Sequence, residues 1–249
     1  MKKIISLWLL LILAVVSYSQ PVTSAQIDRT VEQAMKAFDV PGIAVAVVKD
    51  GIVIHSRGYG VRSVNTGQKV DENTLFAIAS NTKAFTAASL GILVDEGKLK
   101  WEDKVIDYIP ELRLYNSYVT ENFIIKDLLT HRSGMGLGAG DLMIWPGSPD
   151  FTKDDVIHNL RYLRQTSQFR TRYDYDNLLY IVAGEVVARV SGTSWEEFVE
   201  SRIMKPLGMT VTAASINRLK DRSNIIDAHV PVNGKLEVVP KHEGDLHNP

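Results

Sequence analysis

The sequence predicts an α+β fold, and three observations carry that prediction. Two strand pairs are written around tight-turn dipeptides, Asp50-Gly51 and Asn233-Gly234, the strongest short-range hairpin signal. A helical pattern directly precedes the first pair. Between the pairs lie two nearly all-apolar stretches, residues 74–97 and 178–190, of the kind that form helices enclosed by protein.

Residues 1–19 read as a secretory signal. Lys2 and Lys3 open it, a mostly apolar run follows, and Ser17-Tyr18-Ser19 offers a small-x-small cleavage site before Gln20. The run is short for a membrane span, so the mature chain is expected to be periplasmic or secreted, with no stable membrane anchor after cleavage. Residues 20–249 carry no repeat, no low-complexity segment and no linker, and read as one continuous domain.

In residues 25–38, Ile27, Val31, Ala34, Met35 and Phe38 fall at helical spacing, and Pro41-Gly42 stops the run. Strands over 43–48 and 52–59 follow, so a helix packed on an antiparallel hairpin is expected. A polar loop over 62–73 leads into residues 74–97, read as one buried helix stopped by Gly97. Ser80 and Lys83 stand three residues apart at its start, which puts both side chains on one face. An amine beside a hydroxyl is one way to make a weak nucleophile competent. With 17 Ser and 15 Lys in the chain, chance alone supplies about one Ser-x-x-Lys. Placement adds weight, because a lysine in the first turn of an apolar helix is costly to bury without a partner or a task.

Residues 124–129 read as a short helical run with Asp127 exposed, closing on His131-Arg132-Ser133-Gly134, where His131 is most simply a turn-stabilising residue. Gly134, Gly136, Gly138 and Gly140 alternate. No Gly-Lys-Ser/Thr follows and no strand precedes them, so a mobile loop is expected rather than a phosphate cradle. Thr152 with Asp155 caps a helix running to residue 163. The apolar residues of 178–190 make a second buried helix ending at Ser191-Gly192. At its mouth sits Tyr175-Asp176-Asn177, which on local grounds fits capping and packing as well as chemistry. Thr193 is expected to cap a helix over 194–204, and Pro206-Leu207-Gly208 to break the chain.

Composition narrows the function. With 249 residues, 45% of them hydrophobic and 23% charged, the chain is long enough for one large domain or two lobes. A net charge of −1 leaves no basic footprint for nucleic acid. The absence of cysteine excludes disulfides, a thiol nucleophile and thiolate metal sites. The six histidines are scattered and form no His-Glu-x-x-His, so no metal and no cofactor is expected. No Gly-x-Ser-x-Gly occurs, which argues against a Ser-His-Asp hydrolase.

Five blocks, FAIASNTKAFTA, LVDEGKLKWEDKVIDYIPEL, IKDLLTHRSGMG, YDYDNLLYIVAGEVVARVSG and IMKPLGM, resemble, in order, the serine β-lactamase class C and DD-peptidase family with its esterase and D-amino-acid peptidase relatives. The resemblance runs from residue 31 to residue 209. It implies a two-lobed fold, an antiparallel sheet covered by helices beside a mostly helical lobe, with the site between them. It also implies that Ser80 is the nucleophile and Lys83 its partner. Tyr175 would take up the serine proton and return it to the leaving group, and Asn177 would hold Lys83 and a substrate amide. A free tyrosine has a pKa of ~10, so a base at neutral pH needs a depression worth about 4 kcal/mol. One ammonium at ~4 Å supplies about that much at an effective dielectric of ~20. A neutral Lys83 as the base stays open as an alternative. The Ser80 N–H, at a helix N-terminus, suits an oxyanion.

The family's third motif, Lys-Thr-Gly or His-x-Gly on a strand that also supplies the second oxyanion donor, has one counterpart here, His242-Glu243-Gly244. It lies in a charged loop and reads as coincidence. The sequence reads as stopping before the family's closing strands and final helix. Uncovered sheet edges and apolar surface are then expected. Loss of one oxyanion donor would cost ~10² to 10³ in rate, leaving this chain weakly active or inactive. The expected activity is that of an exported serine hydrolase forming a Ser80 acyl-enzyme on a peptide, ester or lactam carbonyl. Small molecules or cell-wall peptides are the expected partners, and oligomeric state is left open. The alternative is a non-catalytic module that binds cell-wall peptides.

Overall fold

The computed structural model describes residues 22–144 and 151–240. The stretch expected to be a secretory signal, residues 1–19, and the His242-Glu243-Gly244 triplet lie outside the described residues. Two compact units emerge. One comprises the described residues through Thr74 together with Ile226–Val239, and the other is built on Leu75–Ile225.

The first unit opens with helix α1 (Ser24–Phe38), whose start is closed by a capping box between Thr23 and Gln26 and whose end turns at Asp39 in the left-handed region. Strands β1 (Gly42–Lys49) and β2 (Ile52–Gly60) pair antiparallel from Gly42↔Gly60 to Lys49↔Ile52, with a bulge between Val47 and Val48. Asp50 and Gly51, at φ 52° and 76°, make the tight primed turn that their sequence predicts. A second hairpin, β3 (Ala228–Val232) and β4 (Lys235–Val239), turns at Asn233 and Gly234 in the same way. The two hairpins are separate two-stranded sheets, tied by the Asp227 N–H to the Arg62 carbonyl and the Val64 N–H to His229 Nε2.

Helix α1 meets β2 through a chain of polar groups. Ser24 Oγ lies 2.8 Å from His55 Nδ1, His55 Nε2 lies 2.6 Å from the Tyr59 hydroxyl, and that hydroxyl donates to Asp28 Oδ1 at 2.7 Å. Because the Tyr59 hydrogen is given to Asp28, its oxygen must accept from His55 Nε2–H. That tautomer leaves Nδ1 to accept from Ser24. Arg57 closes the chain on Asp28 at 3.0 Å. Burial and the Asp28 hydrogen bond push the Tyr59 phenol up to about 12.

The second unit is helical, and it holds the main apolar core. Its central helix α2 spans Thr82–Asp95, not residues 74–97. Ser80 lies before it, in a single 3-10 turn over Ala79–Asn81 entered at Ala79 with φ 45°. Nor is α2 enclosed on all sides: Lys83, Thr86, Ser89, Leu90 and Leu93 are buried, while Ala84 and Ala88 are exposed. Apolar composition fixed its helicity but not its number of covered faces, since exposed alanines cost a helix little. Short helices α3 (Val105–Tyr108) and α4 (Ser117–Asn122) follow.

Asp127 is buried, against expectation. In a 3-10 turn over Ile125–Leu129 it accepts the Ile124 N–H at 3.0 Å and a bidentate Arg170 at 2.9 and 2.6 Å. The local pattern placed a charge outside, and a guanidinium 43 residues away makes burial tolerable. Helix α5 (Lys153–Asn159) carries the predicted Thr152/Asp155 capping box and passes into a 3-10 turn at Leu160–Tyr162. Helix α6 (Leu178–Ser191) is the predicted second buried helix, stopped by Gly192 at φ 75°. Ser194, not Thr193, caps the last helix, α7 (Trp195–Val199), because its hydroxyl reaches the Glu197 N–H at 3.1 Å. The chain then widens into a π turn over Glu200–Met204.

Candidate active site

Ser80, Lys83, Tyr175 and Asn177 come together in the helical unit. The exposed turn at Ala79–Asn81 presents Ser80, and the first turn of α2 presents Lys83, which is 8% exposed. Lys83 Nζ donates to Ser80 Oγ at 3.2 Å and to Asn177 Oδ1 at 2.8 Å. The ammonium also lies 4.8 Å from the Tyr175 ring centroid and 5.2 Å from that of Tyr180, close enough for both ring faces to favour a cation. Burial raises the Tyr175 phenol, but hydrogen bonds from Lys83 and Ser80 and the lysine charge outweigh it, so the phenol sits below its ordinary value.

Tyr175 is held from behind by His131. The two rings stack with centroids 4.5 Å apart, and Tyr173 and Tyr180 flank the imidazole at 5.3 and 5.4 Å. His131 is buried and adopts φ 56°. It is the expected turn residue and also a clamp: its carbonyl accepts the Asp174 N–H at 2.9 Å and its Nδ1 accepts the Asp176 N–H at 3.0 Å. Burial, then the Lys83 charge, lower its pKa, in keeping with an unprotonated Nδ1. Asp176 is fully buried and is pushed up to about 7 by burial. One of its oxygens accepts the Leu178 N–H at 3.0 Å and the other has no partner among the described residues.

Asp141 is the residue that sequence reasoning missed. Both of its carboxylate oxygens lie 3.1 Å from Asn177 Nδ2, which turns Asn177 so that its carbonyl oxygen faces Lys83. The glycine loop delivers it. Gly138 donates to the Tyr175 carbonyl at 2.8 Å, Asp141 donates back to Gly138 at 3.1 Å, and Gly140 sits at φ 78° where a Cβ would come within 2.4 Å of Leu178. The expected mobile loop is therefore a fitted one, pinned to the strand of chain that carries Tyr175. Its one legible signal was the glycine spacing itself, which marks positions needing left-handed backbone or close approach.

The comparisons with known proteins agree on the family. The chain is 35% identical over 199 residues to the unguisins hydrolase ungD of Aspergillus violaceofuscus, covering 78% of this chain and 34% of that protein. To Protein flp of Staphylococcus aureus it is 29% identical over 223 residues, covering 89% of this chain and 44% of that protein. It thus spans less than half the length of these relatives. Among solved structures, it resembles the octameric penicillin-binding protein homologue from Pyrococcus abyssi with a TM-score of 0.77 at 26% identity, over 90% of this chain and 52% of that one. It matches a class C beta lactamase with a TM-score of 0.75 at 23% identity, over 92% and 62%. The fold is that of the β-lactamases and DD-peptidases. The Beta-lactamase family profile matches residues 27–223, and with that match the chain belongs to the beta-lactamase family.

Proposed function

We propose that the chain is an exported serine hydrolase that works through an acyl-enzyme on Ser80. The observation that carries this reading is the Lys83 side chain, hydrogen-bonded to Ser80 and Asn177 and set 4.8 Å from the Tyr175 ring centroid. Ser80 Oγ attacks the carbonyl carbon of a peptide, ester or lactam, and its proton passes to the Tyr175 oxygen. The tetrahedral oxyanion meets the Ser80 N–H ahead of α2. Collapse breaks the bond to the leaving group, which takes the proton back from Tyr175. Water then gives a proton to Tyr175, attacks the ester, and releases the acid as the proton returns to Ser80.

Two features support Tyr175 rather than Lys83 as the proton acceptor. Lys83 gives an N–H to Asn177 Oδ1, a group that can only accept, and lies 4.8 and 5.2 Å from the centroids of the Tyr175 and Tyr180 rings, contacts that suit a cation rather than a free amine lone pair. The Tyr175 phenol, with Ser80 and Lys83 acting on it, has its pKa lowered despite burial. Membership of the beta-lactamase family supports hydrolase chemistry in general.

Incubation with a fluorescent penicillin and a fluorophosphonate, followed by peptide mapping, tests the reading. Mass added on Ser80, and lost in Ser80→Ala, is expected. Absence of any Ser80 adduct, with cell-wall peptides still bound, would replace this reading with that of a binding module.

A further inference from the structure

Asp141 brings more to the site than the orientation of Asn177. Its two oxygens are equidistant, at 3.1 Å, from one nitrogen, so they share a single N–H in a three-centre bond. The second N–H of Asn177 is left for a substrate amide carbonyl. A neutral acceptor would orient Asn177 equally well. What the carboxylate adds is a negative charge, and that charge opposes the proposed chemistry by raising the Tyr175 phenol. Among the described residues no Lys, Arg or His forms an ion pair with it. Asp141 is only half-buried, and a carboxylate in a three-centre bond keeps lone pairs for further donors.

The site thus offers an amide N–H beside an unpaired carboxylate. A peptide with a free amino end presents the complement, an amide carbonyl next to an ammonium. Resting on the acyl-enzyme reading above, we infer that Asp141 is a specificity-determining residue selecting acyl groups with a protonated amine next to the amide carbonyl held by Asn177. Acyl groups with a carboxylate at that place are disfavoured. The substrate class is therefore short peptides, or their esters and amides, with a free amino terminus.

The test uses three p-nitrophenyl esters with the same amide and different end charge: glycylglycine, acetylglycine and succinylglycine. At pH 7 the first is mostly protonated, since an α-amine titrates at ~7.7 to 8.0. Rates of Ser80 acylation are read by intact mass for the chain and for Asp141→Asn, which keeps a carbonyl acceptor for Asn177. In parallel, binding of the three corresponding non-acylating amides is measured by calorimetry. The expected order is glycyl, then acetyl, then succinyl. Asp141→Asn should shrink the glycyl-to-succinyl ratio about tenfold, the scale of one partly screened charge pair. If Ser80 is acylated but the ratio is the same in both proteins, the inference is overturned and the acyl-enzyme reading stands. If no ester acylates Ser80 while amide binding ranks by charge and flattens in Asp141→Asn, the acyl-enzyme reading fails and the role of Asp141 stands. No adduct and no ranking would overturn both.

Discussion

Each unit holds a serine whose hydroxyl is hydrogen-bonded to a basic side chain, and the two serines are built for different ends. In the first unit, Ser24 gives its hydrogen to His55, His55 to Tyr59 and Tyr59 to Asp28, where Arg57 ties off the chain. Every hydrogen in that sequence is spoken for, and the imidazole is 4% exposed. In the second unit, Ser80 is exposed, receives a bond from Lys83 and acts, with Lys83, to lower the pKa of the Tyr175 phenol. An Asn177 N–H and the Asp141 lone pairs remain uncommitted beside it. A serine next to a histidine and an acid is thus not in itself a nucleophile. Reactivity needs an open side and unspent hydrogen-bonding capacity, and only the second cluster has both.

The largest test of this contrast is covalent labelling. Ser80→Ala should abolish fluorophosphonate adducts, at least 10³-fold, while Ser24→Ala leaves the labelling rate within about twofold. A Ser24 adduct in peptide maps would erase the distinction. Next in size is Lys83→Met. Because the lysine's hydrogen bond and charge lower Tyr175, removing it should slow Ser80 acylation by about 10²-fold or more and move the acid limb of the rate profile to higher pH. An unchanged limb would show that Lys83 does not act on the phenol.

Smaller effects probe the supports. Gly140→Ala forces a Cβ into Leu178 at a left-handed position, so it should cost roughly 1 to 3 kcal/mol in chemical denaturation and loosen Asn177 through Asp141. Full stability with undiminished acylation would mean that the loop can relocate without loss. In the first unit, Tyr59→Phe should cost about 1 kcal/mol and leave acylation intact. The Tyr59 phenol is raised in the folded state to about 12 by burial and by Asp28. Its contribution is present below the unfolded tyrosine value of ~10 and is lost as pH climbs through the folded value. Tyr59→Phe should remove that part of the alkaline unfolding, which pH-dependent denaturation curves would show.

What could be read from the chain follows the range of the contacts. The hairpin turns, the Thr152/Asp155 cap and the Ser80–Lys83 pair depend on neighbours within a few residues, and all three were legible. Tyr175 and Asn177 were legible only through the resemblance of their block, because Asn177 meets Lys83 across 94 residues. Asp141 and His131 reach the site across 36 and 45 residues, by way of backbone turns that no period of apolar residues encodes. Asp127 was misplaced for the same reason, its partner Arg170 being equally remote in sequence. The start of α2 was misplaced because Leu75 pairs with Ile225 and gives its N–H to the Asn224 carbonyl, contacts about 150 residues away in sequence that no local pattern shows.

The most direct test of the central claim is the pH dependence of Ser80 acylation in the wild-type chain and in Tyr175→Phe, followed by intact mass. If Tyr175 accepts the serine proton, the wild-type rate rises with pH through an acid limb lying below the ordinary tyrosine value. Tyr175→Phe then loses about 10² to 10⁴ in rate together with that limb. A Tyr175→Phe variant that keeps the wild-type rate and profile would contradict the assignment.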